Sequence, residues 1–264
     1  MNTPQEIAEL YMMVGDGKTS RMVWVQFVLG CFAGAFIALG GLASQILSCG
    51  MVPVALGRFL SAIIFPIGLM MVIIAGGELF TGNCLISICV FSKNTYVSAM
   101  LRNWIIVYLG NMAGGIFISL LVAYGGVLDM YNGELANLAV SMAVQKCTIP
   151  FIPALFKGIM CNFLVCIAVW VSFSTEEVVG KILSLYLPIA LFIACGFEHC
   201  VANMYFIPTG IFANSIYEMN ASGLTWLNMF WKNLLPVTLG NIFGGAVLVG
   251  GGYWLIFLSH HDED

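Results

Sequence analysis

The amino-acid sequence predicts an all-α integral membrane protein whose six membrane-spanning segments form two related halves of three. Three observations lead to this fold class. Apolar residues make up 61% of the 264 residues and charged residues only 8%, whereas an average soluble domain carries roughly 25% charged residues. Six long apolar runs follow one another, and two motifs of the first half return in the second. We interpret residues 1–264 as a single transmembrane domain.

The composition excludes several classes of protein. A soluble enzyme cannot cover its surface with so few charged side chains. The net charge of −4 and the lack of a Lys/Arg-rich run disfavour binding to nucleic acid. Nine cysteines lie mostly within or beside apolar runs, without the spacing of a zinc or redox motif. We therefore read them as small apolar residues of a helical bundle and expect neither a metal nor a cofactor.

Each apolar run is long enough to cross the hydrocarbon core of a membrane, which takes about 20 residues. The runs cover approximately 23–48, 58–92, 103–126, 151–173, 181–213 and 234–258. Before the first run lie residues 1–20. Near their start, Thr3, Pro4 and Glu6 form a pattern that is typical of the beginning of a helix. We predict an amphipathic, interfacial helix there, and a short polar tail at 259–264.

The second and fifth runs are too long for one span, and each is interrupted by a related motif. In both motifs a glycine precedes a glutamate by two positions and an asparagine follows it by five: Glu78 with Asn83, and Glu198 with Asn203. The two motifs are 120 residues apart. A carboxylate at membrane depth costs several kcal/mol unless it is buried and paired. We therefore assign these four residues a structural role at two helix breaks.

The third and sixth runs share a glycine-rich phrase, at 110–115 and at 240–245, with an offset of 130 residues. Asn111 and Asn241 occupy the same place in it, and we expect them to satisfy the breaks from neighbouring helices. Similar offsets of independent motifs indicate an internal duplication. Because each half has an odd number of spans, the two halves must cross the membrane in opposite directions, which predicts an inverted repeat. In such folds the broken helices meet near the midplane and form the site there.

The distribution of basic residues predicts that both termini are cytoplasmic, because cytoplasmic loops carry an excess of Lys and Arg. With an inside N-terminus, five basic residues fall inside and three outside. Those inside are Lys18, Arg21, Lys93, Arg102 and Lys181, and those outside are Arg58, Lys146 and Lys232.

His199 is the one histidine outside the C-terminal tail, and it lies within the second break. Most lone buried histidines are packed core residues, but a histidine at a helix break can exchange a proton near physiological pH. Cys195 and Cys200 do not complete a set of four metal ligands with it. Lys146 lies just before the fourth span, and composition and position alone indicate an interfacial lysine.

The residues at 78–83, 156–170, 196–204 and 233–241 resemble the formate/nitrite transporter family, and the likeness covers nearly the whole chain. The continuation at 205–211 is more similar to the formate channels than to the nitrite branch. The sequence contains no Asn-Pro-Ala, which disfavours a true aquaporin.

The resemblance implies an aquaporin-like helical fold and a homopentamer with one pore per protomer. It further implies that His199 and Thr81 face each other at the pore centre with Asn162 nearby, and that Lys146 lies in the pore vestibule. The apolar constrictions on either side would come from Phe65, Leu69, Leu79, Phe80, Val165 and Phe192.

The function that follows is passage of small monovalent anions, formate first, alone or together with a proton, across the inner or plasma membrane. Nitrite and hydrosulfide are the alternatives within transport, and short carboxylates such as acetate or lactate would need wider constrictions. A membrane-embedded enzyme using Glu78, Glu198 and His199 is the alternative from another class, and it lacks a ligand set and a nucleophile motif. The sequence does not separate proton donation by His199 from a hydrogen bond to the anion.

Overall fold

The computed structural model describes residues 1–259, and within this range the chain forms ten main helices and no β-strand. The predicted polar tail therefore lies, except for Ser259, outside the described residues. The helices are α1 (Pro4–Ser20), α2 (Val23–Ser48), α3 (Val54–Gly76), α4 (Phe80–Phe91), α5 (Val97–Tyr124), α6 (Glu134–Thr148), α7 (Phe151–Ser172), α8 (Val178–Ala194), α9 (Cys200–Ile216) and α10 (Trp226–Phe257).

Six spans account for the apolar runs, which confirms the predicted all-helical membrane architecture. Helices α2, α3, α5, α7 and α10 are each long and apolar enough to cross a membrane. The second span consists of α3 and α4, and the fifth consists of α8 and α9, so both predicted interruptions are real helix breaks. Helices α5 and α10 begin before the apolar runs at 103 and 234, because the residues that precede these runs are helical although they include the charged Arg102 and Lys232.

A glycine with a positive φ ends the helix before each break. Gly76 closes α3 with φ +86°, and Gly196 follows α8 with φ +67°. An L side chain rarely adopts this left-handed conformation, and glycine does so without a steric penalty. The chain then runs extended to Leu79 in the first break and to His199 in the second, and a new helix begins.

The repeated glycine-rich phrases bring two pairs of helices into backbone contact. A Cβ atom on Gly110 or Gly114 of α5 would lie closer than 3.0 Å to the backbone of α2. A Cβ atom on Gly240 or Gly244 of α10 would meet the backbone of α7 equally closely. Small residues at membrane helix interfaces permit this approach, and equivalent phrases thus serve the same packing in both halves.

The two shorter helices outside the spans are α1 and α6. Helix α1 begins with a capping box, in which the Glu6 carboxylate accepts from the Thr3 N–H at 2.7 Å, as the sequence predicts. Its buried face is formed by Ile7, Ala8 and Tyr11, and the Tyr11 hydroxyl donates to the Gly82 carbonyl at 3.3 Å. Hence α1 packs against the protein beneath the first break. Helix α6 was not predicted as an element.

Candidate functional site: a histidine and a threonine between two helix breaks

The two breaks meet at His199 and Thr81, whose side chains are buried. His199 Nε2 lies 2.8 Å from Thr81 Oγ1, although the residues are 118 positions apart in sequence. Both are supplied by the ends of broken helices, since Thr81 lies in the first turn of α4 and His199 is the N-cap of α9. The inferred pair is thus brought within hydrogen-bonding distance where the two helices that follow the breaks begin.

The hydrogen bonds of the imidazole define its tautomer. His199 Nδ1 accepts from the Ala202 backbone N–H at 3.1 Å and so caps α9. A nitrogen that accepts cannot carry a proton, so the ring proton is on Nε2, which donates to Thr81 Oγ1. Protonation to imidazolium would make both nitrogens donors and would break the cap. The arrangement therefore holds a neutral histidine that presents a hydrogen-bond donor to Thr81.

Asn162 fixes the threonine from α7. Its Nδ2 donates to the Thr81 carbonyl at 3.2 Å and to the Asn241 carbonyl at 2.7 Å. Cys166, one turn further along α7, has its Sγ 3.3 Å from the same Thr81 carbonyl. These contacts satisfy a carbonyl beside the break, and they place Asn162 against the backbone of Thr81 rather than against the imidazole.

An apolar cavity of about 10 Å³ adjoins His199. This volume is about that needed for one water molecule. The rings of Phe65 and Phe192 meet edge to face at 5.5 Å, and the Phe192 ring centre is 5.9 Å from that of His199. The cavity is lined by Ile37, Phe65, Leu69, Leu79, Val165, Ile189, Phe192 and His199. It is a small hydrophobic cavity with the imidazole in its wall.

Five of the six inferred constriction residues line this cavity, and Phe80 does not. The Phe80 ring packs edge-on against Tyr108 at 5.0 Å and Trp104 at 6.1 Å. Ile37 and Ile189 line the cavity without having been singled out from the sequence.

A wide vestibule of about 980 Å³ opens above the second break. His199, Glu198 and Lys146 are among the residues that line it, and Lys146 Nζ donates to both oxygens of Glu198 at 3.2 and 3.1 Å. The Glu198 side chain is only 9% exposed. Because a buried carboxylate needs a compensating charge, Lys146 both neutralises Glu198 and places an ammonium group in the lining of the vestibule.

Each break is held by the same network of a glutamate, two asparagines and a lysine. At the second break, Asn203 Nδ2 donates to Glu198 Oε2 and to Asn233 Oδ1, both at 2.7 Å. Asn233 Nδ2 in turn donates to the Lys146 carbonyl at 3.0 Å. The predicted glutamate and asparagine thus contact each other, together with an asparagine of α10.

At the first break, Asn83 Nδ2 donates to Glu78 and to Asn103 Oδ1, the latter at 2.9 Å. Lys18 Nζ donates to Glu78 Oε2 at 3.3 Å and to Asn83 Oδ1 at 2.6 Å. Arg21 also pairs with Glu78. A duplicated unit predicts such matching contacts at the two breaks. The inverted orientation of the two halves of the chain stays a prediction.

Asn111 and Asn241 complete the breaks from α5 and α10. Asn111 Oδ1 accepts from the Phe80 N–H at 2.9 Å, and its Nδ2 donates to the carbonyls of Gly30 and Glu78, both at 2.8 Å. Asn241 makes the equivalent bonds to Cys200, Gly158 and Glu198, at 3.0, 2.8 and 3.0 Å. Each amide therefore satisfies backbone groups that the interrupted helix leaves free.

Lys18 is the functional candidate that sequence reasoning missed. It is the counterpart of Lys146, since each lies in the last turn of its short helix and pairs with the glutamate of a break. The two lysines are 128 residues apart, close to the offsets of the repeated motifs. That offset was the available signal. In the described residues no cluster of three or more His, Cys, Asp or Glu side chains could hold a metal ion.

Two broken helices meet at a buried polar pair, and His199 of this pair lines both a small apolar cavity and a large cavity with more basic than acidic side chains. Such an arrangement within apolar helices is typical of a membrane channel or carrier for small solutes. The chain belongs to the formate/nitrite transporter family: the model described as "Formate/nitrite transporter" matches residues 5–255.

The formate channel FocA of Haemophilus influenzae is 36% identical to this chain, over 94% of this chain and 92% of its own length. The formate channel BtFdhC of Bacillus thuringiensis is also 36% identical, over 98% and 97% of the two chains. A solved structure described as a "Pentameric formate channel with formate bound" is similar with a TM-score of 0.80 and 34% identity, covering 90% of this chain and 98% of that one.

Proposed function

We propose that this protein is a channel for small monovalent anions, with formate as its main substrate and with one pore in each protomer of a homopentamer. The observation that carries the proposal is the buried His199–Thr81 pair, whose histidine lines both the small apolar cavity and the cationic vestibule. The formate channels among its relatives support the choice of anion, and the pentameric, formate-bound neighbour supports both anion and assembly.

The physical problem for such a pore is a charge that must pass an apolar passage. An isolated ion costs many kcal/mol in a low-dielectric medium. Lys146 stabilises the anion at the base of the vestibule, with Lys18 in the equivalent place at the other break. A carboxylate that enters less polar surroundings binds a proton more readily, and the neutral acid can then pass the apolar side chains. The proposed constrictions are those inferred above, including Phe80, to which we add Ile37 and Ile189.

The tautomer of His199 favours one of the two mechanisms that the sequence leaves open. A neutral imidazole that gave up its Nε2 proton would become an imidazolate, which is costly. As a hydrogen-bond donor to Thr81 Oγ1 it leaves the hydroxyl hydrogen of Thr81 free to point at a passing oxyanion. We therefore assign His199 and Thr81 a joint hydrogen-bonding role at the pore centre, positioned by Asn162.

In this proposal the residues of the breaks keep the pore open rather than react. Glu78, Glu198 and the four asparagines of the predicted motifs hold non-helical backbone in place. Both termini lie in the cytoplasm and the protein crosses the cell membrane, as the basic residues predict. Nitrite and hydrosulfide remain the alternative substrates, and the proposal assigns the protein no enzymatic reaction.

The proposal is tested by reconstituting the purified protein in sealed vesicles, after its assembled mass has been compared with five chains of 28.6 kDa. Flux of formate, nitrite, hydrosulfide, acetate and lactate is then compared across a pH series. We expect formate flux well above that of protein-free vesicles and faster than lactate flux. Conversion of substrate by protein in detergent, or no formate flux, would contradict the proposal.

A further inference from the structure

The charges in the vestibule are not balanced. Arg58, Lys146, Lys157 and Glu198 line it. Lys146 is bound to both oxygens of the one carboxylate, so that pair is neutral as a unit. Arg58 and Lys157 form no ion pair within residues 1–259. The long-range attraction of this vestibule for anions therefore comes from Arg58 and Lys157.

Arg58 reaches from the first turns of α3 to the second break. Its guanidinium lies against Gly196, where a Cβ atom would come within 2.8 Å of Nη1. Gly196 precedes His199 by three residues, so the guanidinium lies beside the backbone that leads to the pore centre. The side chain is exposed to the vestibule and donates no hydrogen bond within the part of the chain that the structure describes. Its five N–H donors are available to a ligand.

We propose that Arg58 binds the incoming oxyanion at the mouth of the second break and selects for two-oxygen anions. This inference rests on the proposed function. A planar guanidinium presents paired N–H groups that match the two oxygens of a carboxylate, and nitrite offers the same pair. Hydrosulfide has a single acceptor atom and therefore cannot offer each of the two parallel N–H groups an acceptor of its own. Lys157 adds attraction without this directionality, because an ammonium group acts as a point charge.

The test compares Arg58→Lys, which keeps the charge and removes the fork, with Lys157→Gln, which removes a charge and keeps the fork. Half-saturating concentrations are measured for formate, nitrite and hydrosulfide, with the leak of protein-free vesicles subtracted. An exposed charge pair is worth about 0.2–1 kcal/mol, or up to about fivefold. We expect Arg58→Lys to raise the half-saturating concentrations of formate and nitrite about two- to fivefold and to leave that of hydrosulfide unchanged. Lys157→Gln should shift the half-saturating concentrations of all three anions alike. Equal effects of Arg58→Lys on the three anions, or none, overturn the proposal.

A second measurement uses the unmodified protein. Phenylglyoxal modifies arginine, and the chain has three arginines, of which Arg21 pairs with Glu78 and Arg102 donates to the Thr19 carbonyl. Formate should slow modification of Arg58 more than chloride at equal ionic strength does, with Arg102 as the internal reference. Equal protection by both salts contradicts the proposal. If the unmodified protein carries formate and Arg58→Lys does not change the half-saturating concentrations, this inference is wrong and the proposed function stands. If the unmodified protein carries no formate, the proposed function itself is wrong.

Discussion

Replacing His199 by asparagine yields a folded channel that keeps its formate flux and its response to pH between about 5 and 8, because the proposed role of the neutral imidazole is to donate a hydrogen bond and not to titrate. Asparagine is a favourable N-cap, so its Oδ1 can accept from the Ala202 N–H as Nδ1 does, and its amide group can still donate to Thr81. It cannot bind a proton in this range. Formate flux in vesicles, measured at a series of pH values, checks the expectation.

Alanine at position 199 removes both the cap and the donor, and it is expected to lower flux about 10-fold or more, because a hydrogen bond to a charged group contributes about 1.5–3 kcal/mol. Thr81→Val should have an effect of similar size, and Thr81→Ser, which keeps the hydroxyl, should have little. The effects of the His199→Ala and Thr81→Val changes should be less than additive, as expected for groups in one network. A pH profile in well-assembled His199→Asn protein that differs from that of the unmodified protein would show that the imidazole titrates during transport, and it would contradict the hydrogen-bonding role.

The second large effect is expected at Lys146. Lys146→Gln leaves the Glu198 carboxylate buried without its cation, which costs about 3–5 kcal/mol in comparable pairs. We expect lower thermal stability and formate flux reduced at least about tenfold, since 1.4 kcal/mol corresponds to tenfold. Thermal unfolding and vesicle flux measure the two effects, with the exposed Lys232→Gln as matched control.

The double variant Lys146→Gln with Glu198→Gln separates the two roles of the lysine. It removes both charges, so stability should return while formate flux stays low, because the ammonium group at the vestibule floor is missing. Restored flux in the double variant would show that Lys146 acts only by neutralising Glu198.

The spans and their breaks could be predicted from the sequence because both leave strong local signals. Long apolar runs mark helices in a membrane, and a glutamate within such a run, as at Glu78 and Glu198, must have a special environment. Helix α6 gave no such signal, since a 15-residue helix of mixed polarity lies below the length that marks a span.

The site was predictable only in part, for a physical reason. His199 stands out as a polar residue at a helix break, whereas the role of Thr81 and its meeting with His199 follow from the family resemblance alone. Ile37 and Ile189 carry no comparable signal, because an isoleucine that lines a pore and one that faces lipid look the same in an apolar run. Which of them lines the passage is decided by helix packing.

The position of Cys195 allows the proposed route to be tested directly. Of the nine cysteines, all of them within the described residues, Cys195 alone is exposed, and it lines the vestibule. Burial raises the pKa of Cys147, beside Lys146, to about 11, so that thiol is a poor nucleophile at neutral pH. A thiol reagent applied in detergent before reconstitution should therefore modify Cys195 selectively.

The decisive measurement is formate flux after Cys195 carries either a sulfonate or a trimethylammonium group of similar size. If anions travel through this vestibule to His199, the negative group should reduce flux severalfold, and the positive group should reduce it much less or raise it. Cys195→Ser protein should respond to neither reagent. Full modification of Cys195, verified by mass spectrometry, with formate flux unchanged by both reagents would contradict the route through the vestibule.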